Sequence, residues 1–153
     1  MEKPYFPMFI NLSGKHIFVA GGGTIACRRI KALLKFGAYI HAAAPCICPE
    51  LALLAEEEER KIELSLRGFR PCDLEGMDFA IAATDEREVN RAVHRECRSR
   101  GIPVNVADDK TLCDFYFPSL VLTDDVVIGI GSGGESPGRV KEVRKRIEKL
   151  EGL

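Results

Sequence analysis

The sequence has no tryptophan and no excess of either charge, with 22 Lys and Arg against 23 Asp and Glu. Nothing in that balance favours a polyanionic partner, so nucleic acid is not expected as one. There is no apolar run near the ~20 residues that cross a bilayer, and Met1 to Gly14 is too polar and too broken by proline to read as a signal peptide. A cytoplasmic protein with no membrane partner is expected. Metal and disulfide signatures are also missing. Six cysteines (Cys27, Cys46, Cys48, Cys72, Cys97 and Cys113) form no C-x-x-C pair, and Cys46-x-Cys48 has no second pair to complete a zinc set. Reduced thiols and no bound metal are the expectation.

What the chain does have is 46% hydrophobic residues over 153 positions, enough for one sizeable core. Its clearest stretch runs from Lys15 to Cys27, K-H-I-F-V-A-G-G-G-T-I-A-C. Ile17 to Ala20 is an apolar run of the kind a buried parallel strand shows. Gly21, Gly23 and Ala26 then fill the three small positions of G-x-G-x-x-G/A. A side chain at the second position would hold the backbone away from a pyrophosphate, and a large third residue would push helix from strand. From Thr24 to Phe36 the spacing of Ile25, Ile30, Leu33 and Leu34 predicts a helix whose free N–H groups face the same point. The pattern favours a dinucleotide over an empty structural turn.

The remaining chain reads as further units of a doubly wound, mostly parallel Rossmann-type α/β sheet. Strands are predicted over residues 39–44, 62–66, 79–83 and 102–107, with helices over 49–60 and 86–100, the latter capped by Thr84 or Asp85. Glu56 to Glu59 read as a solvated face of the earlier helix. Ahead of the first strand, Tyr5, Phe6 and residues 9–12 read as an arm packed on the sheet. After the sheet, residues 115–122 and 126–130 predict a hairpin around Thr123-Asp124-Asp125, and Pro137 suits the first turn of a last, locally basic helix. The expected division is 1–136 for the nucleotide domain and 137–153 for the start of a shortened helical segment. None of the histidines His16, His41 and His94 has a partner fixed by sequence.

One further absence bears on the cofactor. An acidic residue about 20 positions past the glycines usually holds the ribose hydroxyls of NAD, and here the second strand ends His41-Ala42-Ala43-Ala44-Pro45, with no nearby arginine to argue for NADP. By residues alone the cofactor stays open. At the carboxyl end of the fifth strand stand Asn105, Asp108 and Asp109, where open α/β sheets bind ligands. A carboxylate such as Asp108 could serve there as a base or as a turn cap, and the two roles fit the pattern equally.

Seven ordered pieces, Y-F-P-M-F-I-N-L at Tyr5, G-G-G-T-I-A at Gly21, A-A-A-P at Ala42, I-A-A-T-D at Ile81 with Asn90 beyond it, N-V-A-D-D at Asn105, L-C-D-F-Y-F-P at Leu112 and G-S-G-G-E-S-P at Gly131, together resemble the NAD-dependent precorrin-2 dehydrogenases. These include the amino-terminal module of the sirohaem synthases, some of which also insert ferrous iron into sirohydrochlorin. The resemblance covers nearly the whole chain. It implies NAD as cofactor, because that family also ends its second strand in an alanine-proline turn, and it implies oxidation of precorrin-2. It places cofactor contacts at Gly21, Gly23, Thr24, Ile25, Pro45, Cys46, Ala83 and Thr84, and the catalytic carboxylate at Asp108. Asn105, Ser132, Gly133 and Arg139 fall on the substrate side, the last helix offering cations to a polycarboxylate. The chain's end at Leu153, one helix after G-S-G-G-E-S-P, differs from longer members that continue into a dimer-forming helical segment. A homodimer and iron insertion therefore stand as expectations of the resemblance alone. An NAD(H)-sensing module without chemistry is the alternative, and a base at the sheet edge argues against it.

Overall fold

A computed structural model describes residues 4–150; the chain end at Leu153 lies outside them. Two compact units divide the described residues. One holds residues 10–115, and the other holds those up to Phe9 together with those from Tyr116 onward.

The first unit is a five-stranded parallel sheet. Its strands are β1 (His16–Ala20), β2 (Tyr39–Ala43), β3 (Ile62–Ser65), β4 (Phe79–Ala82) and β5 (Val104–Val106), in the order β3-β2-β1-β4-β5. Helices α1 (Thr24–Leu34) and α2 (Pro49–Glu57) link the first three strands, and α3 (Arg87–Arg100) links β4 to β5. Because the strand order reverses at β1 and such crossovers are right-handed, α1 and α2 cover one face and α3 covers the other. β1 shows what burial on both faces requires: Ile17, Phe18, Val19 and Ala20 are all at most 2% exposed. On the α3 face, Phe18, Ala20, Ala80, Ala82, Val93 and Cys97 form one apolar cluster, with Leu74 and Phe69 supplied by the β3–β4 connection. That connection carries a 3-10 turn over Pro71–Leu74 in place of a helix, pinned by Arg67, whose guanidinium spans both carboxylate oxygens of Asp73 at 2.6 and 2.9 Å.

The elements follow the sequence pattern with a few corrections. The second helix stops at Glu57, and Glu56, Glu57 and Glu59 are exposed. The N-cap of α3 is Glu86, with no side-chain cap bond, so neither Thr84 nor Asp85 caps it; the Thr84 side chain is turned toward Asn90 instead. The leading arm does not bury its large apolar side chains: Tyr5, Phe6, Phe9 and Ile10 are all exposed. All six cysteines are free thiols. No described helix is long and apolar enough to cross a membrane.

The second unit contains an antiparallel pair, β6 (Ser119–Leu122) and β7 (Val127–Ile130), followed by α4 (Pro137–Leu150). The hairpin turn is held by Thr123, whose hydroxyl oxygen accepts the Val126 N–H at 2.9 Å. Pro137 stands at the first position of α4, where its missing N–H costs nothing.

Candidate active site

The register of the parallel sheet decides where its loops begin. Ala20 pairs with Ala43 on one side and Ala82 on the other, Ala43 pairs with Ser65, and Ala82 with Val106, so one row crosses all five strands. The ladder runs one residue further, through the bonds Gly21 N–H to Ala43 O, Ala83 N–H to Ala20 O and Ala107 N–H to Ala82 O at 2.8–3.0 Å. Gly22, Pro45, Thr84 and Asp108 are each the second residue past that row. Four of the segments singled out in the sequence therefore leave the sheet at one level, at its carboxyl edge.

The three glycines of the turn do three different jobs. Gly21 has φ +125°, a conformation side chains rarely adopt, and a Cβ there would lie 2.3 Å from the Ala83 carbonyl oxygen. Gly22, read from the sequence only as the unspecified residue of the motif, is as crowded: its Cβ would meet the Cys46 carbonyl oxygen at 2.3 Å. It also accepts the Cys48 N–H at 2.8 Å, which ties the loop after β2 to the glycine turn. Gly23 alone faces open space, with nothing within 4 Å of a Cβ. It is the N-cap of α1 and makes no side-chain cap bond, and the first bond within the helix is Cys27 N–H to Gly23 O. The N–H groups of Thr24, Ile25 and Ala26 precede that bond and point out of the helix end, a fitting cradle for a diphosphate. Ala26 is fully buried, as the third small position demands. Pro45 and Cys46 are exposed on the neighbouring loop, and Ala83 and Thr84 are half-buried.

At the end of β5 the two adjacent aspartates separate by role. Asp109 accepts the Thr111 N–H at 3.0 Å and the Thr111 hydroxyl at 2.6 Å and so caps the 3-10 turn over Lys110–Leu112. Those bonds, with Arg87 3.7 Å away, hold its carboxyl below the usual range. Asp108 is exposed and takes no part in the cap; its Oδ1 accepts one bond, from the side-chain amide of Asn90 at 3.0 Å. The turn-capping role that would have explained Asp108 away belongs to its neighbour.

Asn105 is 3% exposed, and its amide is spent inside the protein. Its Oδ1 accepts from Arg29 of α1, and its Nδ2 donates to the Phe115 carbonyl at 2.7 Å. Such a residue shapes the segment after β5 and does not itself present a free polar group to a ligand. Burial pulls the Arg29 guanidinium below its usual value and pushes the Cys113 thiol beside it up. Ser132, Gly133 and Arg139 lie in the second unit. Ser132 is half-buried, with its Oγ accepting the Ser136 N–H at 3.0 Å ahead of α4; Gly133 has φ +64°; Arg139 is exposed on α4. Among the described residues no group of three or more His, Cys, Asp or Glu side chains is arranged to hold a metal.

A parallel sheet reversing at β1, with a glycine turn opening into α1 and an exposed carboxylate at the same edge, defines a Rossmann-type nucleotide-binding domain. Residues 8–119 match the family model NAD_binding_7, described as "Putative NAD(P)-binding", and the chain belongs to that family. It is 39% identical over 146 residues to the "Siroheme synthase" of Nitrosomonas eutropha, covering 95% of this chain and 30% of that protein. With the "Siroheme synthase" of Nitrosomonas europaea the identity is 41% over 146 residues, again covering 95% of this chain and 30% of the relative. The chain thus spans 30% of the length of these curated relatives. Among solved structures, "SirC, precorrin-2 dehydrogenase" superposes with a TM-score of 0.77 at 26% identity, over 95% of this chain and 71% of that one.

Proposed function

We propose that the chain oxidises precorrin-2 to sirohydrochlorin with NAD⁺, in the cytoplasm, as a step of sirohaem synthesis. The observation that carries the reading is Asp108: an exposed carboxylate, relieved of turn-capping by Asp109, leaving the sheet at the same level as the glycine turn. When bound, NAD⁺ accepts the hydride. The N–H groups after Gly23 receive its diphosphate, and the backbone of Pro45, Cys46, Ala83 and Thr84 flanks the rest. Each oxidation removes a hydride and a proton from the substrate; Asp108 takes the proton and returns it to solvent. Ser132, Gly133 and Arg139, with the other cations of α4, serve the carboxylates of the tetrapyrrole, and Asn105 holds the segment after β5 in place. Ferrous iron insertion into the product and a homodimer belong to the same reading.

The test is NADH formation on mixing the protein with NAD⁺ and anaerobically prepared precorrin-2, with NADP⁺ as control. Asp108→Ala is expected to lose about 10²- to 10⁴-fold in kcat, the usual worth of a positioned base, while NAD⁺ still binds. NAD⁺ binding without NADH from the parent protein would assign the chain to a sensor.

A further inference from the structure

Asn90 lies in α3 and is 1% exposed. A buried primary amide is tolerated when its oxygen and both N–H groups are satisfied. Here all are. Oδ1 accepts the Thr84 N–H at 3.0 Å and lies 2.7 Å from the Thr84 hydroxyl, closer than the other acceptor that hydroxyl can reach, the Glu86 carbonyl at 3.0 Å. Nδ2 donates to the Thr84 carbonyl and to Asp108 Oδ1, both at 3.0 Å. The orientation of the amide follows from Thr84 alone. A backbone N–H only donates and a backbone carbonyl only accepts, so the oxygen must face the first and the nitrogen the second. With one amide hydrogen spent on the carbonyl, the other is directed to Asp108.

We infer that Asn90 is the positioning residue of this site: it locks Thr84, on the cofactor loop, and Asp108, on the substrate side, into one unit, and by engaging Oδ1 it leaves Asp108 Oδ2 as the oxygen that takes the proton. The inference rests on the dehydrogenase reading above. No other side chain of similar size serves. Aspartate has the acceptors but not the donors, leucine has neither, and serine is too short to reach both partners.

The experiment is a double-mutant cycle of the parent, Asn90→Ser, Asp108→Ala and the pair, with Asn90→Asp beside it. Each protein is measured for kcat and KM with precorrin-2, for the NAD⁺ dissociation constant by calorimetry, and for its urea midpoint. Asn90→Ser is expected to lower kcat about 10- to 100-fold, the size of one charge-assisted hydrogen bond. In the Asp108→Ala background it should lower kcat less than about twofold, while the loss of NAD⁺ affinity through Thr84 is the same in both backgrounds. The near-isosteric Asn90→Asp should be the harsher variant, because it sets carboxylate against carboxylate. Equal kcat losses with and without Asp108, or Asn90→Asp milder than Asn90→Ser, would overturn the inference. If the parent forms no NADH, the dehydrogenase reading has failed on its own account. The urea midpoints then decide: non-additive effects of the two substitutions support the Asn90–Asp108 lock, and additive effects overturn it.

Discussion

Three consecutive glycines with different surroundings make a sharp test of how the nucleotide turn is built. Gly21→Ala meets two penalties together, a φ of +125° and a Cβ 2.3 Å from a backbone oxygen of the adjacent strand, which cannot rotate away. Backbone strain of that kind costs about 1–3 kcal/mol, and overpacking a further 1–3 kcal/mol or so. The sum, about 2–6 kcal/mol, lowers the melting midpoint of a domain this size by roughly 4–24 °C at about 2–4 °C per kcal/mol. Gly22→Ala carries the overpacking penalty alone, because its φ is ordinary and its clash is with the Cys46 carbonyl. Its cost is about 1–3 kcal/mol, and it pushes on the loop that Cys48 N–H ties to Gly22. Gly23→Ala meets no atom at all, so its stability change should stay within about 1 kcal/mol, the scale of an N-cap substitution. Yet Gly23 is the residue whose missing side chain leaves the helix end open, so NAD⁺ affinity should fall most per degree of stability lost at this position. Thermal unfolding and calorimetric NAD⁺ titration of the three variants read both quantities. If Gly23→Ala melts as early as Gly21→Ala, or binds NAD⁺ as tightly as the parent, the division of labour is wrong.

Other expectations follow from the same structure. Phe18→Ala, at a position 1% exposed in the centre of the α3-side cluster, should cost about 3–5 kcal/mol in urea unfolding with m unchanged. The Arg67 hydrogen bonds hold the Asp73 carboxyl below its ordinary value. The pair therefore adds stability that is fully present above the unfolded-state value near pH ~4 and fades as pH falls through the depressed folded-state value; Arg67→Ala should flatten the stability profile over that acidic window and leave its neutral-to-alkaline shape alone. Alkylation of the native protein should modify exposed Cys46 and Cys72 first, and NAD⁺ should slow Cys46 alone. Cys97, whose thiol burial pushes up to about 12, should react only on unfolding, as mass spectrometry of timed samples would show.

The strand-turn-helix at the start of the sheet was legible because each local signal agreed: an apolar run, small residues where backbone must approach backbone, and a 3.6-residue apolar stripe behind them. What was not legible depended on contacts between distant segments. Gly22 looked like a free position of the motif because the segment that crowds it comes 24 residues later, at Cys46. Asn90 leaves a partial trace: it stands at the same helical spacing as Val93 and Cys97, a polar residue within an apolar stripe, which calls for a buried partner but does not name Asp108 as that partner. His16 and His41 have partners for a similar reason. Neighbouring registers place His41 beside both Phe18 and Glu63, so that its ring bonds His16 at 2.9 Å and Glu63 at 3.1 Å, and register across three strands is not written in any one of them. Apolar composition predicts a covered arm, yet the three leading aromatics Tyr5, Phe6 and Phe9 are exposed, because hydrophobic composition alone does not say which surface a terminal segment finds.

The shared row at the carboxyl edge has a consequence for how such a chain changes over time. The row is buried at Ala20, Ala43, Ala82 and Val106, while Pro45, Cys46 and Asp108, two or three steps past it, are exposed. Inheritance is thereby partitioned. Substitutions at exposed positions past the row, such as Asp108, alter what is bound or which proton is moved without disturbing the ladder, whereas those on the row, and at Gly21 and Gly22 beside it, are judged first by folding. One scaffold can accordingly be handed from one chemistry to another by rewriting a few exposed positions at a single level, while the glycine turn that receives the nucleotide stays fixed.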